Sequence, residues 1–155
     1  DHTYIVPAFS GLGAPWWRDD IYASISGMSR TTGREEIVKA GCECIAYQIN
    51  DVIDAMRKDS EIDISQMCVD GGPTRNKYLM QFQSDISQTE IKIPDAEELS
   101  VIGAGYLAGE SAGYYEPDDI YKAITYNFFE TEMPEQERNE KVQGWNEAVE
   151  MLLKK

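Results

Sequence analysis

The sequence predicts an α/β fold, a mixed sheet flanked by helices, and two observations carry this prediction. Short segments rich in β-branched and aromatic residues alternate with longer segments whose apolar residues recur every three or four positions. In addition, residues 64–93 follow the order strand, glycine turn, helix, strand, which is typical of a parallel β-α-β unit. With 155 residues, no internal repeat and no linker, the chain is expected to form one domain.

The first predicted elements are a strand, a loop and a second strand. Residues 4–9 are rich in β-branched and aromatic residues, but Pro7 lacks a backbone donor, so we expect an edge strand or an extended segment. Residues 10–17 form a loop rich in glycine and proline. Residues 21–25 then alternate between apolar and polar side chains, as a short strand does.

The loop offers two weak functional signals. Gly11-x-Gly13 suggests a dinucleotide loop, but Trp16 stands at the third glycine position and no helix begins there, so the motif is rejected. Trp16 and Trp17 could stack on a ligand. We instead expect them to cover an edge of the core, which is the commoner use of such side chains.

A long helix is predicted over residues 34–58. Thr32 and Glu35 have the spacing of a capping box, in which each side chain satisfies a free backbone amide of the first turn. Asp51 and Asp54 are interpreted as solvated charges on this helix. The predicted apolar face consists of Val38, Cys42, Ile45, Ile49, Val52 and Met56.

The middle of the chain contains the β-α-β unit. A short buried strand is predicted over residues 64–69, a helix over residues 75–87, and a second strand, parallel to the first, over residues 90–93. The next segment, residues 100–110, reads as a helix whose small residues at 104, 105, 108 and 109 press against a neighbour. Gly113 is a suitable residue to end that helix.

The C-terminal part predicts a turn or short helix at residues 117–120 and an extended segment at residues 126–129. Pro134, at a first-turn position, then begins the last helix. Its predicted buried face consists of Val142, Trp145, Val149 and Leu152.

Charge and composition exclude several classes of function. Twenty-eight acidic and 14 basic residues give a net charge of −14, which repels the phosphates of nucleic acids and anionic lipids. No apolar run reaches the ~20 residues that span a bilayer, and the first residues lack the cationic start of a signal peptide. We therefore expect a cytoplasmic protein with no nucleic-acid and no membrane partner.

The cysteines and the histidine exclude several kinds of site. Cys42, Cys44 and Cys68 are odd in number and contain no C-x-x-C pair, so we expect reduced thiols that serve as small core residues. No metal ligand is predicted. His2 is the only histidine and lies near the terminus, so no Ser-His-Asp or Cys-His arrangement can be built and no catalytic residue is assigned.

The strongest functional signal is the stretch VDGGPTRNKYLM at residues 69–80. Gly71 and Gly72 let backbone amides approach a ligand closely, and the helix that follows directs its free N–H groups to the same place. This arrangement suits a nucleotide phosphate or ribose, and the Asn76 amide could bind a base or sugar. The alternative is a tight turn in which Asp70 caps the helix, and the local pattern does not decide between the two.

Longer stretches of the sequence resemble a known family. They comprise residues 6–17, 45–48, 69–72 with Asn76, 79–86 and 103–109. In these stretches the chain resembles the C-terminal part of the FGGY family of carbohydrate kinases, which belong to the actin-like, ribonuclease-H-like ATPase superfamily. The resemblance covers nearly the whole chain, is strongest over residues 4–113, and is closer to the family members that phosphorylate glycerol than to the sugar kinases.

The resemblance implies ATP- and Mg²⁺-dependent phosphorylation of glycerol to glycerol 3-phosphate. By the same resemblance, Gly71 and Gly72 would contact the nucleotide through their backbone and Asn76 would hold its adenosine side. The family's catalytic aspartate and polyol-binding residues lie upstream of the matched part. Residues 1–155 are therefore expected to be the nucleotide-binding domain without its first strands and without the N-terminal domain, and to be inactive alone.

Two departures and three alternatives remain. Gly41 replaces a larger residue of the family's helix, and Pro73 removes a backbone donor beside the predicted nucleotide site. The alternatives are another sugar or polyol kinase of the family, a nucleotide switch like that of heat-shock chaperones, whose Gly-Gly-Ser-Thr-Arg turn resembles Gly71–Arg75, and a non-catalytic interaction module. Missing strands would also expose a sheet edge, so association into homo-oligomers is expected.

Overall fold

The computed structural model describes residues 2–96, 99–114, 116 and 124–154. The predicted turn or helix at residues 117–120 lies outside them. The elements in chain order are β1 (Tyr4–Val6), β2 (Ser24–Ser26), α1 (Arg34–Ser60), β3 (Gln66–Cys68), a 3-10 helix (Gly72–Arg75), α2 (Lys77–Ser87), β4 (Glu90–Pro94), α3 (Leu99–Ser111), β5 (Tyr126–Phe129) and α4 (Glu135–Leu153).

The predicted mixed sheet is confirmed. β3 and β4 are parallel, with Met67 opposite Ile91, and β5 runs antiparallel to β4. β1 and β2 form a separate antiparallel pair. The prediction of a buried strand at residues 64–69 is wrong, since β3 is shorter and Gln66 and Cys68 are exposed. The reason is that β3 lies at the edge of the described sheet, so its outer side has no neighbouring strand there.

The predicted long helix is confirmed as α1, but its cap is not Thr32. The N-cap is Gly33, whose N–H donates to Oε2 of Glu36 at 2.7 Å. The Thr32 hydroxyl oxygen instead accepts from the N–H of Ser29 at 2.8 Å. The helix begins at Arg34 as predicted, but its N-cap is Gly33 and the reciprocal glutamate is Glu36 rather than Glu35.

The predicted apolar face of α1 is wrong. Val38 is 63% exposed and Met56 is 54% exposed. The buried residues lie on another face: Ala40, Glu43, Cys44, Ala46, Tyr47, Asn50 and Ile53. Elements β1 and α2 pack against α1, whereas the described chain leaves the predicted face largely uncovered. We call Val38, Cys42, Ile45, Ile49, Val52 and Met56 the α1 stripe.

Aromatic rings join α1, α2 and α4 in the core. Tyr47 stacks on Trp145 with ring centroids 5.1 Å apart, and Phe82 meets Tyr47 edge-on at 5.4 Å. Burying a ring of this size contributes on the order of 2 kcal/mol. The predicted face of α4 is confirmed, since Trp145, Val149 and Leu152 are buried and Val142 packs against them. Pro134 is the N-cap of α4 rather than a residue of its first turn.

Asp51 connects α1 to the loop after β1 and to α4. Its Oδ2 accepts hydrogen bonds from the indole Nε1 of Trp16 at 3.1 Å and of Trp145 at 2.9 Å. The prediction that Asp51 is a solvated charge is therefore wrong, and burial raises the pKa of its carboxyl group. Trp16 covers a core edge as predicted, whereas Trp17 is 77% exposed.

Helix α3 is confirmed as an element, but its predicted close packing is wrong. Among the described residues, none of those in α3 is buried, and a Cβ added at Gly103 or Gly105 would meet no atom of the described chain within 4 Å. Gly113 follows the helix with φ +74°, the left-handed conformation expected of a glycine that ends a helix. Within the described residues, the chain contains no helix with the length and hydrophobicity needed to cross a membrane.

Candidate functional site

The double glycine forms a tight turn between β3 and α2. Gly71 has φ +100°, which favours glycine, and its carbonyl accepts from the Thr74 N–H at 3.0 Å and from the Thr74 hydroxyl at 2.7 Å. The predicted direct passage into a helix at residue 75 is wrong, because the 3-10 helix Gly72–Arg75 comes first. Its i to i+3 bonding suits a proline near its beginning, since Pro73 needs no donor there.

Asn76 is the N-cap of α2 rather than a residue inside it. Its Oδ1 accepts from the N–H of Leu79 at 3.2 Å, and its Nδ2 donates to Sγ of Cys42 at 3.4 Å. The alternative in which Asp70 caps the helix is wrong, since Gly71 is the N-cap of the 3-10 helix and receives no side-chain bond. The side chain of Asn76 therefore links the start of α2 to the third turn of α1.

Two cavities adjoin this turn, and they divide the three predicted site residues between them. Gly71 and Gly72 line a cavity of about 480 Å³, which we call the glycine cavity. Asn76 lines a cavity of about 590 Å³ between α1 and the start of α2, which we call the helix cavity. The glycine cavity is completed by Asp70, Thr74, Arg75, Pro94, Asp95 and Ala96, and the helix cavity by Arg34, Glu35, Val38, Lys39, Cys42 and Tyr78.

The helix cavity combines an apolar wall with a few polar groups. Val38, Cys42 and the ring of Tyr78 form the apolar part, and burial raises the pKa of the Cys42 thiol, so that it stays protonated beside Asn76. Burial and the bond to Glu43 likewise raise the pKa of Tyr78, which keeps its hydroxyl as a donor. Such a wall suits a planar, largely apolar ligand group that is fixed by a small number of hydrogen bonds.

The glycine cavity is polar and acidic. Asp70 follows β3 and Asp95 follows β4, so the ends of two parallel strands bring both carboxylates to one edge of the sheet. This is where α/β proteins commonly bind ligands. Within the described residues, no group of three or more His, Cys, Asp or Glu side chains is placed to hold a metal ion.

Sequence reasoning found the turn but missed the opposite wall of the helix cavity. Arg34, Val38 and Cys42 follow one another at intervals of four residues, so a helix places them on one side. That spacing could have indicated a shared surface. It could not have indicated that Asn76 and Tyr78 lie across from it, because that contact depends on how α1 and α2 pack.

Comparison with known proteins gives concordant matches. The family model described as "FGGY family of carbohydrate kinases, C-terminal domain" matches residues 1–112. Glycerol kinase of Natranaerobius thermophilus is 47% identical over 154 residues, which cover 97% of this chain and 30% of that relative. The chain thus spans about 30% of the length of this relative.

Two solved structures are similar to this chain over nearly its whole length. The crystal structure of Plasmodium falciparum glycerol kinase with ADP has a TM-score of 0.88 and 40% identity, covering 98% of this chain and 31% of that one. Xylulose kinase from Rhodospirillum rubrum has a TM-score of 0.75 at 20% identity, with 98% and 31% covered. The second likeness concerns the fold alone. The predicted actin-like, ribonuclease-H-like class of α/β fold is thereby confirmed.

Proposed function

Because the chain belongs to the FGGY family of carbohydrate kinases, matching its C-terminal domain, we propose that it is the nucleotide-binding domain of a glycerol kinase without the first strands of that domain. In the whole protein, this domain binds ATP while glycerol is phosphorylated to glycerol 3-phosphate. The observation that carries the proposal is the turn at residues 71–76, which has a cavity on either side of it in a chain 47% identical to a glycerol kinase.

The cavities suggest how the nucleotide lies. The base and ribose occupy the helix cavity beside Asn76, and the phosphates extend past the backbone of Gly71 and Gly72. Glycines at this point admit the phosphates without a Cβ in the way. The chain's net charge of −14 opposes a polyanion, so Mg²⁺ is expected to accompany the phosphates. Mg²⁺ takes oxygen ligands, and Asp70 and Asp95 supply carboxylates beside the glycines.

The α1 stripe supports the assignment of the chain to part of a larger kinase. Ile45 is 42% exposed and Ile49 is 38% exposed on a helix whose other face is buried. We propose that the whole protein covers the part of this stripe outside the helix cavity, from Ile45 to Met56, and supplies the catalytic aspartate and the glycerol-binding residues. The 155-residue chain by itself then binds nucleotide at most and transfers no phosphate, since phosphoryl transfer requires both substrates to be held in line.

Calorimetric titration of the full-length gene product with ADP and Mg²⁺ tests the proposal, together with an assay of glycerol-dependent ADP release from ATP. We expect saturable ADP binding by the full-length protein and ADP release that requires glycerol. Xylulose in place of glycerol separates this function from that of a sugar kinase. ADP release that is indifferent to any polyol would indicate a nucleotide switch, and absence of nucleotide binding would overturn the proposal.

Association between copies is a separate part of the proposal. The outer edge of β3 has no neighbouring strand in the described sheet, and unpaired backbone groups at an edge favour pairing with another chain. Sedimentation of the 155-residue chain tests this. We expect a concentration-dependent shift toward a dimer, whereas a monomer at all concentrations would remove homo-oligomerisation from the proposal.

A further inference from the structure

Tyr78 lies on the wall of the helix cavity and is held from two sides. Its hydroxyl donates to Oε1 of Glu43 on α1, and its ring stacks on Phe82 with centroids 6.0 Å apart and planes 12° from parallel. The residue is nonetheless 46% exposed, and it lines the cavity with Asn76, two residues before it. An aromatic ring whose hydroxyl is held by a hydrogen bond and which lines a cavity is a preorganised surface for a planar group.

Glu43 is buried, whereas a charged residue on a helix is ordinarily exposed to solvent. It is 6% exposed, and its carboxylate oxygen Oε1 accepts from the Tyr78 hydroxyl and lies 3.6 Å from Nζ of Lys39. Burying a carboxylate is costly unless it is hydrogen-bonded and paired with a cation. Here both partners belong to the lining of the helix cavity. The structural consequence is that the Tyr78 ring is tied to α1.

The two ligand-facing groups at the start of α2 are thus both anchored on adjacent positions of α1. Asn76 is held by Cys42, and Tyr78 by Glu43. The amide and the ring consequently keep one mutual arrangement, with the amide able to bind a base edge and the ring able to receive a base face. Base stacking on an aromatic side chain is worth about tenfold or more in affinity.

We propose that the nucleotide base stacks on Tyr78 and that Glu43 is the positioning residue that holds the Tyr78 ring at the cavity wall. This inference rests on the proposed function, because it assigns residues to the same nucleotide. It adds a binding residue and a positioning residue to Gly71, Gly72 and Asn76. Purines have larger faces than pyrimidines, so the stacking favours purine nucleotides.

The test uses the full-length gene product and measures the Kd of ADP, the Kd of UDP and the KM for glycerol. Tyr78→Leu is expected to raise the Kd of ADP about tenfold, to raise that of UDP less, and to leave the KM for glycerol unchanged. Tyr78→Phe keeps the ring and is expected to raise the Kd of ADP less than Tyr78→Leu does. Within one variant, the ratio of the Kd of ADP to the Kd of UDP does not depend on the folded fraction of the sample. This ratio therefore reports on stacking and not on stability.

Glu43 is tested by rescue. Glu43→Ala removes the acceptor and is expected to weaken ADP binding, whereas Glu43→Gln keeps an oxygen that accepts from Tyr78 and is expected to restore most of it. Tyr114→Leu serves as the matched control, since Tyr114 is 82% exposed and lines neither cavity. ADP binding that survives Tyr78→Leu within twofold, or loss of ADP and glycerol affinity in equal measure, overturns the inference. ADP binding absent from the unsubstituted protein overturns the proposed function itself.

Discussion

At Gly72, an added side chain would meet no neighbouring atom of the described chain. A substitution there can therefore change nucleotide binding without disturbing the fold. A Cβ built there has nothing within 4 Å, whereas Gly71 has the left-handed φ that a larger residue adopts only with strain. Of the predicted site residues, Gly72 is therefore the one whose replacement tests the nucleotide site most directly.

We expect Gly72→Val to lower the affinity of the full-length gene product for ADP at least tenfold, because the branched side chain enters the glycine cavity. The free energy of unfolding should change by less than about 1 kcal/mol. Calorimetry with ADP, and the KM for glycerol, check this. Gly13→Val is the control, since a Cβ at Gly13 also meets nothing within 4 Å and Gly13 lines neither cavity. If ADP and glycerol affinities fell together, the turn would be structural.

Asp51 shows at the residue scale how burial changes the role and the pKa of an acidic side chain. The sequence places it on a helix with other acids, but two indole N–H groups bond one of its oxygens. Burial raises the pKa of the carboxyl group in the folded chain. The folded state therefore holds this proton more tightly than the unfolded state, and the resulting stabilisation is complete at pH values below the unfolded pKa and is lost as pH rises through the folded pKa.

Asp51→Asn should remove the loss of stability that accompanies ionisation of Asp51 at higher pH. The amide oxygen of asparagine still accepts from both indoles and carries no charge. We expect the variant to be at least as stable as the unsubstituted chain at pH 7, with the difference shrinking toward pH 4. Thermal unfolding at the two pH values measures it, with Asp63→Asn, at an exposed position, as control. A variant that is less stable only at pH 7 would mean that the charged carboxylate is favoured in the fold.

At the scale of the element, the sequence predicts helices and strands well and their buried faces less well. Helices α1 and α2 lie within two residues of the predicted bounds, and α4 begins one residue after the predicted start, because apolar periodicity is a local property. The face of α4 is also as predicted. The face of α1 is not, since α1 has apolar residues on two sides and β1 and α2 cover only one of them. When a helix has apolar residues on two faces, its own sequence does not show which of the two faces packs against the rest of the chain.

Gly41 in α1 and Gly144 in α4 allow a paired test of how closely each helix packs against β1. A Cβ at Gly41 would lie 3.7 Å from Cδ1 of Ile5, an ordinary contact, whereas one at Gly144 would overlap the hydroxyl oxygen and ring of Tyr4. We expect Gly41→Ala to raise the free energy of unfolding by about 1 kcal/mol through helix propensity. The same change at Gly144 should lower it by about 1–3 kcal/mol through overpacking. Urea unfolding of both variants measures this, and a destabilised Gly41→Ala would contradict it.

At the scale of the whole molecule, the α1 stripe and helix α3 are two apolar surfaces that the described chain leaves uncovered. Val101 and Leu107 of α3 are more than 60% exposed, as is Val38 of α1. Exposed apolar side chains grouped on one face of a helix commonly mark an interaction surface. The proposal that the rest of the kinase covers the α1 stripe predicts that its residues matter far more in the full-length protein than in the 155-residue chain.

We expect the double change Ile45→Gln and Ile49→Gln to lower the unfolding midpoint of the full-length gene product clearly and that of the 155-residue chain only slightly. Both side chains are partly exposed in the chain, so little burial is lost there. Ile53→Gln is the control, since Ile53 is 5% exposed and its replacement should destabilise both proteins. Equal effects of the double change on the two proteins would contradict coverage of the stripe.

The sequence by itself determined the α/β class, the parallel β3–β4 pair, the double-glycine turn and the family resemblance, because these depend on short-range patterns and on long matched stretches. Only the tertiary structure decided that Asp51 is held by two tryptophans, that α1 buries Tyr47 rather than its stripe, and that Asn76 and Tyr78 are anchored on Cys42 and Glu43. The physical reason is that each of these contacts joins residues more than 30 positions apart, so it exists only after the helices have packed.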